Sequence, residues 1–286
     1  MTDIDRVDHT VVVTITDLDG LARTYERLGF TVSPESRHLA NARPGEPKTP
    51  LGTANRCVVF ADNYVELLGL VEPDGGDQWG VRRLAAAHEG LRGQIFGCLD
   101  ADAVDRRLTE AGMETSGVLA MERDVQTPQG IAKVRARAVR MDLNGAPEGA
   151  LGFGEIGDRS MIFQPPFMKH ENGAVELSGV LLVVADVELD HYLDRYRTLL
   201  DVQEDERRVF QLRLGQLRIA PVSTLDDLLP GQTAPVLPYV AAQTVTVTDL
   251  SPARALIEGN GFDVRPLDNG FFVHAFGANI VFQERP

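Results

Sequence analysis

An internal repeat constrains the fold of this chain more than any other feature of its sequence. Residues 13–32 and 245–264 follow one pattern: alternating Val, Ile and Thr positions, then Asp-Leu, then Gly-Phe at the same distance. Similarity at a fixed spacing indicates one structural module that is used more than once. The repeat therefore predicts an architecture of duplicated units.

Each copy predicts a strand, a helix and a second strand. β-Branched residues alternate ahead of Asp17, and Asp is a favoured residue at the start of a helix. Leu21, Tyr25 and Leu28 then recur at helical spacing and form one apolar stripe. Gly29 is the residue type that commonly ends a helix, so we expect the second strand to begin directly after it.

Two weaker copies lie between the clear ones. Asp100 and Gly112 repeat the spacing of Asp17 and Gly29, and a helical pattern also follows Asp186. Further strand-like runs follow the helices, at residues 56–70, 131–143, 160–164, 207–220 and 270–283. The sequence therefore predicts an α+β fold of four βαβββ modules that begin near residues 7, 92, 178 and 241.

The four modules are expected to form two domains. A chain of 286 residues is long enough for two domains of ordinary size. Residues 165–176 begin with Pro-Pro and are predicted to link the module pairs. We therefore expect a first domain over residues 1–168, from modules one and two, and a second over residues 169–286, from modules three and four.

Composition excludes several classes of partner. A net charge of −14 argues against nucleic acid, which requires concentrated positive charge. No apolar run approaches the ~20 residues of a membrane helix, and the N-terminus lacks the pattern of a signal peptide. Two cysteines are too few for a disulfide framework. We expect a cytoplasmic protein whose partner is a small molecule, with neither nucleic acid nor a membrane.

Four short motifs in the first module resemble those of the vicinal oxygen chelate superfamily, and of its larger glyoxalase-like proteins in particular. They are Asp8-His9, Arg37-His38, Gly52-Thr53-Ala54-Asn55 and Glu66-Leu67. The resemblance implies that two modules pair into a curved mixed sheet, so that four modules form two such sheets. It also implies a divalent metal (Zn, Ni, Mn or Fe) held on the concave face by the first and fourth strands of each module.

The residues themselves support one half of such a site. His9 and Glu66 lie in the first and fourth predicted strands, and imidazole and carboxylate are ligands of these metals. A carboxylate within an apolar strand must find a partner or shift its pKa. The alternative is an edge strand with Glu66 in water and His9 at a strand start. Gln164 is the candidate third ligand from module two.

Other residues are candidates for catalysis and substrate binding. Glu66 could leave the metal and act as a base, and His38 could act as an acid or base near neutral pH. His38 precedes a segment rich in Pro and Gly, residues 39–52, and Asn55 follows it. Asn55 is therefore either a substrate-binding group or a residue that stabilises a turn.

Arg92 and Gln94 are the remaining candidates for substrate binding. Arg92 occupies in module two the position that His9 occupies in module one, and it cannot bind a metal because it has no lone pair to donate. It is expected either to bind an anionic group of the substrate, to pair with Glu66, or to face solvent. Gln94 is expected to face the same side.

Two functions follow from this site. The first is a metal-dependent lyase, isomerase or dioxygenase that acts on an oxygen-rich or aromatic metabolite. The second is a metal-free protein that binds and sequesters a small molecule, as the bleomycin-resistance type of relative does. Modules three and four have Ser178 and Ala241 in place of His9, which predicts a second domain without a site. A monomer and a homodimer are both compatible with four modules in one chain.

Overall fold

The computed structural model of the protein describes residues 3–40, 46–47, 49–72, 77, 79–127, 130–142 and 144–285. The first half of the chain contains β1 (Ile4–Thr14), α1 (Leu18–Arg27), β2 (Ser36–Ala40), β3 (Thr49–Val59), β4 (Tyr64–Leu70), α2 (Val81–Ala87), β5 (Gly90–Cys98), α3 (Ala101–Glu110), β6 (Thr115–Thr127), β7 (Gly130–Met141) and β8 (Ala150–Ile156). The loop predicted at residues 39–52 is shorter, and its residues 41–45 and 48 lie outside the described residues.

The second half of the chain follows a similar order with one strand fewer. It contains β9 (Ala174–Val184), α4 (Leu189–Leu200), β10 (Val209–Gln211), β11 (Gln216–Pro221), α5 (Leu225–Leu228), β12 (Tyr239–Val247), α6 (Leu250–Gly259), β13 (Val264–Leu267), β14 (Gly270–Ala275) and β15 (Ala278–Glu284). The fold class of repeated modules in curved mixed sheets is confirmed. No helix in the described part of the chain is long and apolar enough to cross a bilayer.

Modules one and two form a closed barrel and not an open cup. Its strand order is β1-β4-β3-β2-β6-β7-β8-β5. The two modules meet twice, where β1 pairs antiparallel with β5 and where β2 pairs antiparallel with β6. The second pairing brings His38 opposite Arg123 and closes the sheet on itself. Closure removes the free edges of the sheet and encloses its concave face.

Two predicted strands are corrected by the structure. Residues 160–164 form no strand. A 3₁₀ turn covers Arg159–Met161, where the Asp158 carboxylate accepts a hydrogen bond from the backbone of Ser160, and residues 162–164 lead to a second one at Pro165–Phe167. The fourth strand of module two is instead β8, which precedes this segment. Module three has only two strands after α4, β10 and β11, where three were predicted. Residues 201–208 form turns and irregular structure in place of the missing strand.

Modules three and four form a seven-stranded sheet that packs against the outside of the barrel. A large core with fully buried aromatic rings, among them Tyr25, Phe153, Tyr196, Phe210 and Phe282, runs through both halves. Within it, Thr10 donates a hydrogen bond to Gln243 at 2.5 Å, and Gln243 donates one to the Tyr25 hydroxyl at 2.8 Å. The outward face of β1 is therefore an internal surface of the protein.

The seven-stranded sheet has its own concave face, and the chain covers it. Leu225 and Leu229 come from the segment between β11 and β12. They are buried in one cluster with Leu181, Tyr239 and Phe272. Apolar side chains therefore occupy the place that the cavity takes in the barrel.

Candidate functional site

The barrel encloses a cavity of about 120 Å³ with one polar and one apolar wall. The polar wall belongs to β1–β4 and includes Asp8, His9, His38, Asn55, Tyr64 and Glu66. The opposite wall consists largely of small side chains of β7 and β8, among them Ala136, Ala138, Ala150, Gly152 and Gly154. Small residues on that wall leave the space that the cavity occupies. A ligand would therefore meet most of its polar contacts on one side, and Arg140, which shares the strand face of Ala136 and Ala138, adds a charged group on the other.

Glu66 stands at the centre of the polar wall. The Asn55 side-chain amide donates a hydrogen bond to Oε1 of Glu66 at 2.5 Å. Burial raises the pKa of Glu66, but the hydrogen bond with His38, the charge of His9 and the Asn55 contact together outweigh it and lower the pKa to about 2. Glu66 is therefore an ionised carboxylate at neutral pH.

Two imidazole rings face this carboxylate from neighbouring strands. Nε2 of His9 lies 3.7 Å from Oε2 of Glu66, and Nε2 of His38 lies 3.5 Å from Oε1. The other nitrogen of each ring has its own partner. Nδ1 of His9 is 2.9 Å from the Asp8 carboxylate, and Nδ1 of His38 is 3.1 Å from the Thr53 hydroxyl. These contacts orient both Nε2 atoms toward Glu66.

A β-bulge in β1 sets the position of His9. Val7 and His9 pair with consecutive residues of β5, so Asp8 is the extra residue, and such bulges redirect side chains. The His9 ring also stacks on Tyr64 with the ring centres 4.4 Å apart. Asp8 is fully buried and lies 3.3 Å from Arg159, which favours its ionised form. The Asp8 carboxylate can only accept, so the hydrogen of neutral His9 is on Nδ1.

The gap between His9 and Glu66 fits a divalent metal. A protonated His9 would face Glu66 as an ion pair, whereas neutral His9 would direct the lone pair of Nε2 at the Glu66 carboxylate, and a cation between them would then satisfy both acceptors. Their separation of 3.7 Å is too long for a direct hydrogen bond. Two ligands about 2.1 Å from one ion in tetrahedral geometry are about 3.4 Å apart. Within the described ranges, no set of three or more His, Cys, Asp or Glu side chains could hold a metal. The site is thus a two-residue one.

Arg123 belongs to the polar wall but was not predicted. Its Nη1 group donates a hydrogen bond to Oδ1 of Asn55 at 3.0 Å, which leaves the Asn55 amide nitrogen for Glu66. Nearby Cys57, Tyr64 and Glu66 raise the pKa of Arg123 against the effect of burial. The sequence could have indicated that Arg123 faces the inside of the barrel, because Arg123 shares one strand face with Met121 and Val125 in β6.

Gln164 is not part of this site. It was predicted in a fourth strand opposite Glu66, but it lies beside the 3₁₀ turns that follow β8. Its side-chain amide donates hydrogen bonds to the carbonyls of Gln126 and Met161, both at 2.9 Å. At the cavity, β8 offers Ala150, Gly152 and Gly154, which have no side-chain donor atom. Module two therefore supplies no metal ligand from this strand.

Arg92 and Gln94 also lie outside the cavity. Gln94 pairs with Thr10 and alternates with Ile95, which lines the cavity, and Arg92 is the extra residue of a bulge between Leu91 and Gly93. The Arg92 Nε group donates a hydrogen bond to the Leu84 carbonyl at 2.9 Å. The Gln94 amide donates one to the Tyr196 hydroxyl in the core between the two halves. The pair between Arg92 and Glu66, one of the predicted alternatives, is not formed, and neither Arg92 nor Gln94 lines the cavity.

Comparisons with known proteins agree with this architecture. A family model described as a glyoxalase-like domain matches residues 7–200. A hypothetical protein from Staphylococcus aureus has a similar structure, with a TM-score of 0.66 and 14% identity over 99% of this chain and 100% of that one. No match to the sequence is found among curated proteins.

Two further solved structures share the fold. One is a xylose isomerase-like TIM barrel/4-hydroxyphenylpyruvate dioxygenase fusion protein, with a TM-score of 0.61 and 13% identity over 100% of this chain and 50% of that one. The other is a mutant 4-hydroxymandelate synthase from Streptomyces coelicolor, with a TM-score of 0.57 and 12% identity over 99% of this chain and 94% of that one. At such low identity these likenesses establish the fold alone.

Proposed function

The chain belongs to the glyoxalase-like family of vicinal oxygen chelate proteins, and from this premise we propose that it is a metal-dependent enzyme of small-molecule metabolism. Its substrate would be an oxygen-rich or aromatic metabolite, and its reaction that of a lyase, isomerase or dioxygenase. The main support for this proposal is that the side chains of His9, His38 and Glu66 lie close together in one enclosed cavity.

His9 and Glu66 are the proposed metal ligands. When bound, a divalent metal would polarise adjacent oxygens of a substrate as a Lewis acid. Two protein ligands hold an ion weakly, so we expect modest affinity in the absence of substrate. A carboxylate with a pKa of about 2 is a weak base at neutral pH, so Glu66 suits this role better than that of the predicted proton acceptor.

His38 is the proposed acid–base residue. Its Nδ1 atom is paired with Thr53, which leaves Nε2 beside Glu66 as the atom that exchanges a proton. The Trp79 ring lies 6.0 Å from the His38 ring and packs under the Arg140 guanidinium, whose carbon is 4.3 Å from the Trp79 ring centre. This aromatic surface supports a flat or aromatic substrate.

Titration with Co²⁺ tests the metal site, because the visible absorption of Co²⁺ reports its ligands. Wild-type protein is expected to give saturable spectra, and the His9→Ala and Glu66→Gln variants are expected to lose them. Gln164→Ala is the matched control and should bind Co²⁺ like the wild type. Unchanged spectra in the His9 and Glu66 variants would refute the assignment.

Turnover requires a separate test. α-Hydroxyketones and catechols both carry adjacent oxygens, and conversion of a panel of them can be followed by NMR with metal-loaded protein. We expect conversion that chelator abolishes, and His38→Gln should lower the rate while Co²⁺ binding persists. Absence of conversion of either class would count against an enzyme of this type.

The alternative is a protein that sequesters a small molecule without metal. The apolar wall of the cavity and the two-residue ligand set favour it. This function predicts tight binding of aromatic ligands that is unaffected by chelator and by Glu66→Gln. Isothermal titration calorimetry of the same panel, with and without chelator, distinguishes the two functions.

A further inference from the structure

A second polar cluster lies outside the barrel, where β5 meets the seven-stranded sheet. It contains Arg92 at the bulge of β5, His88 in the turn before this strand, and Tyr239 at the start of β12. The His88 and Tyr239 rings pack edge to face with their centres 5.5 Å apart. The cluster therefore joins the two halves of the molecule.

Arg92 is buried without a counter-charge. Only 4% of its surface is exposed, Nε binds the Leu84 carbonyl, and Nη1 is buried without a hydrogen-bond partner. In the part of the chain that the structure describes, it forms no ion pair with a carboxylate. A buried guanidinium without an anion is costly, and natural proteins normally pair it.

The neighbouring acids have other partners. Glu89 follows His88 directly, but its carboxylate accepts hydrogen bonds from the backbone of Ile15 and the hydroxyl of Thr14. Glu148, which is also buried, accepts hydrogen bonds from Tyr196 and Arg195. Oε2 of Glu148 is buried without a hydrogen-bond partner, but neither carboxylate forms an ion pair with Arg92.

His88 adds polar ring atoms to the cluster. Both of its ring nitrogens are buried and lack a hydrogen bond of good geometry, although the backbone of Leu91 lies close enough to raise the pKa of the ring slightly. Burial and the nearby charge of Arg92 lower the pKa of His88 to about 4, so the ring is neutral at pH 7 and has one N–H to donate. His274, the other titratable group facing His88, lies at the end of β14 and is paired with Asn279 at 2.9 Å.

We propose that Arg92 and His88 bind a small inorganic anion, such as chloride, at the junction of the barrel and the seven-stranded sheet. The anion would accept hydrogen bonds from Nη1 of Arg92 and from the His88 ring, and it would neutralise the buried guanidinium. The backbones of Gly90 and Gly277 are packed so tightly here that a side-chain carbon at Gly90 would lie 2.1 Å from the Gly277 carbonyl oxygen. This contact joins the turn before β5, which holds His88, to the turn between β14 and β15.

The site would lie directly behind the wall of the barrel cavity. Arg92 holds the carbonyl of Leu84, and the Leu84 side chain lines the cavity. Anion binding would thus stabilise α2 and the contact between the two halves, independently of any metal at His9 and Glu66.

Chloride-35 NMR tests the proposal on the intact protein. We expect the protein to broaden the chloride-35 resonance. Bromide should reverse this broadening, because it competes for the same site. Nonspecific anion binding is suppressed by the net charge of −14. Broadening that does not saturate, or that bromide does not reverse, would overturn the site.

Thermal unfolding in sodium chloride and in sodium gluconate of equal ionic strength provides the second test. Chloride is expected to raise the melting temperature of wild-type protein relative to gluconate, and Arg92→Gln should abolish this difference. Arg23→Gln, on the exposed side of α1, is the control and should retain it. If the Arg92 variant does not fold, His88→Phe, which keeps a ring but removes the donor, should weaken the chloride broadening. An unchanged chloride effect in a folded Arg92 or His88 variant would contradict the proposal.

Discussion

Glu66 links the chemistry of the cavity to the stability of the protein. Its pKa falls from an ordinary value of 4.5 to about 2 in the folded state. The stabilisation is therefore complete above pH 4.5 and is lost as the pH falls toward 2. We expect wild-type protein to lose about 2 kcal/mol more unfolding free energy than Glu66→Gln between pH 6 and pH 3. Urea unfolding at both pH values measures this difference, and equal losses would show that the Glu66 carboxylate is not stabilised by folding.

Asp8 is predicted to act on the metal through His9. Its carboxylate holds the hydrogen on Nδ1 of His9 and so keeps the lone pair of Nε2 directed at Glu66. Loss of such a partner typically lowers metal affinity about 10–100-fold. We expect Asp8→Asn to weaken Co²⁺ binding by this amount, because an amide can donate as well as accept. The Co²⁺ affinity of both Asp8→Asn and a control, Asp158→Asn, should be measured by titration. Asp158→Asn removes an exposed carboxylate at a 3₁₀ turn, so it shows the effect of a change in charge alone.

Strand β8 determines how much space the cavity has. A side-chain carbon at Gly154 would meet only Ile95 at 4.0 Å, whereas one at Gly152 would lie 2.8 Å from the Val139 carbonyl oxygen. We expect Gly154→Val to fold normally and to fill the cavity, since Val suits a strand better than Gly does. Gly152→Val should instead destabilise the barrel by about 1–3 kcal/mol through overpacking. Calorimetry measures ligand binding by both variants, and urea unfolding measures their stability. Unchanged ligand affinity in Gly154→Val would show that ligands bind elsewhere.

The elements were predictable from the sequence wherever the pattern was regular. Asp17, Asp100 and Asp249 cap three helices as predicted, because capping and apolar periodicity are local properties. The orientation of Arg92 and Gln94 was not predictable, because a one-residue bulge reverses the faces of a strand without a clear mark in the sequence. Strand β8 was not predicted, because Gly152 and Gly154 are of a residue type that weakens a strand.

The residues that module one contributes to the candidate site were predictable from the sequence, but the residue that module two contributes was not. His9, His38, Asn55 and Glu66 meet in one module, whose short motifs define them. Arg123 joins them only because β2 pairs with β6 when the barrel closes. Such a contact depends on the curvature of the whole sheet, which single-strand patterns do not encode.

The two halves of the molecule are predicted to unfold together. The division at residues 168 and 169 remains a prediction, and the family match continues past it to residue 200. One apolar core crosses the junction, and β1 and β5 of the barrel contact β9 and β12 of the second sheet. Separation would expose this core, so we expect one cooperative urea transition for the whole chain and aggregation of a fragment of residues 1–168.

Gln243 provides the sharpest test of this junction, because it connects Thr10 of the barrel with Tyr25 of α1. Gln243→Leu would leave two buried hydroxyl groups without partners, each at a cost of about 1–3 kcal/mol. Conversion of all three residues, as Thr10→Val, Tyr25→Phe and Gln243→Leu together, removes every polar group and should recover most of that loss. Urea unfolding of the single and triple variants measures both steps. A neutral single substitution would show that apolar contact couples the halves without this network. Two separate transitions in the wild type would show that the halves unfold independently.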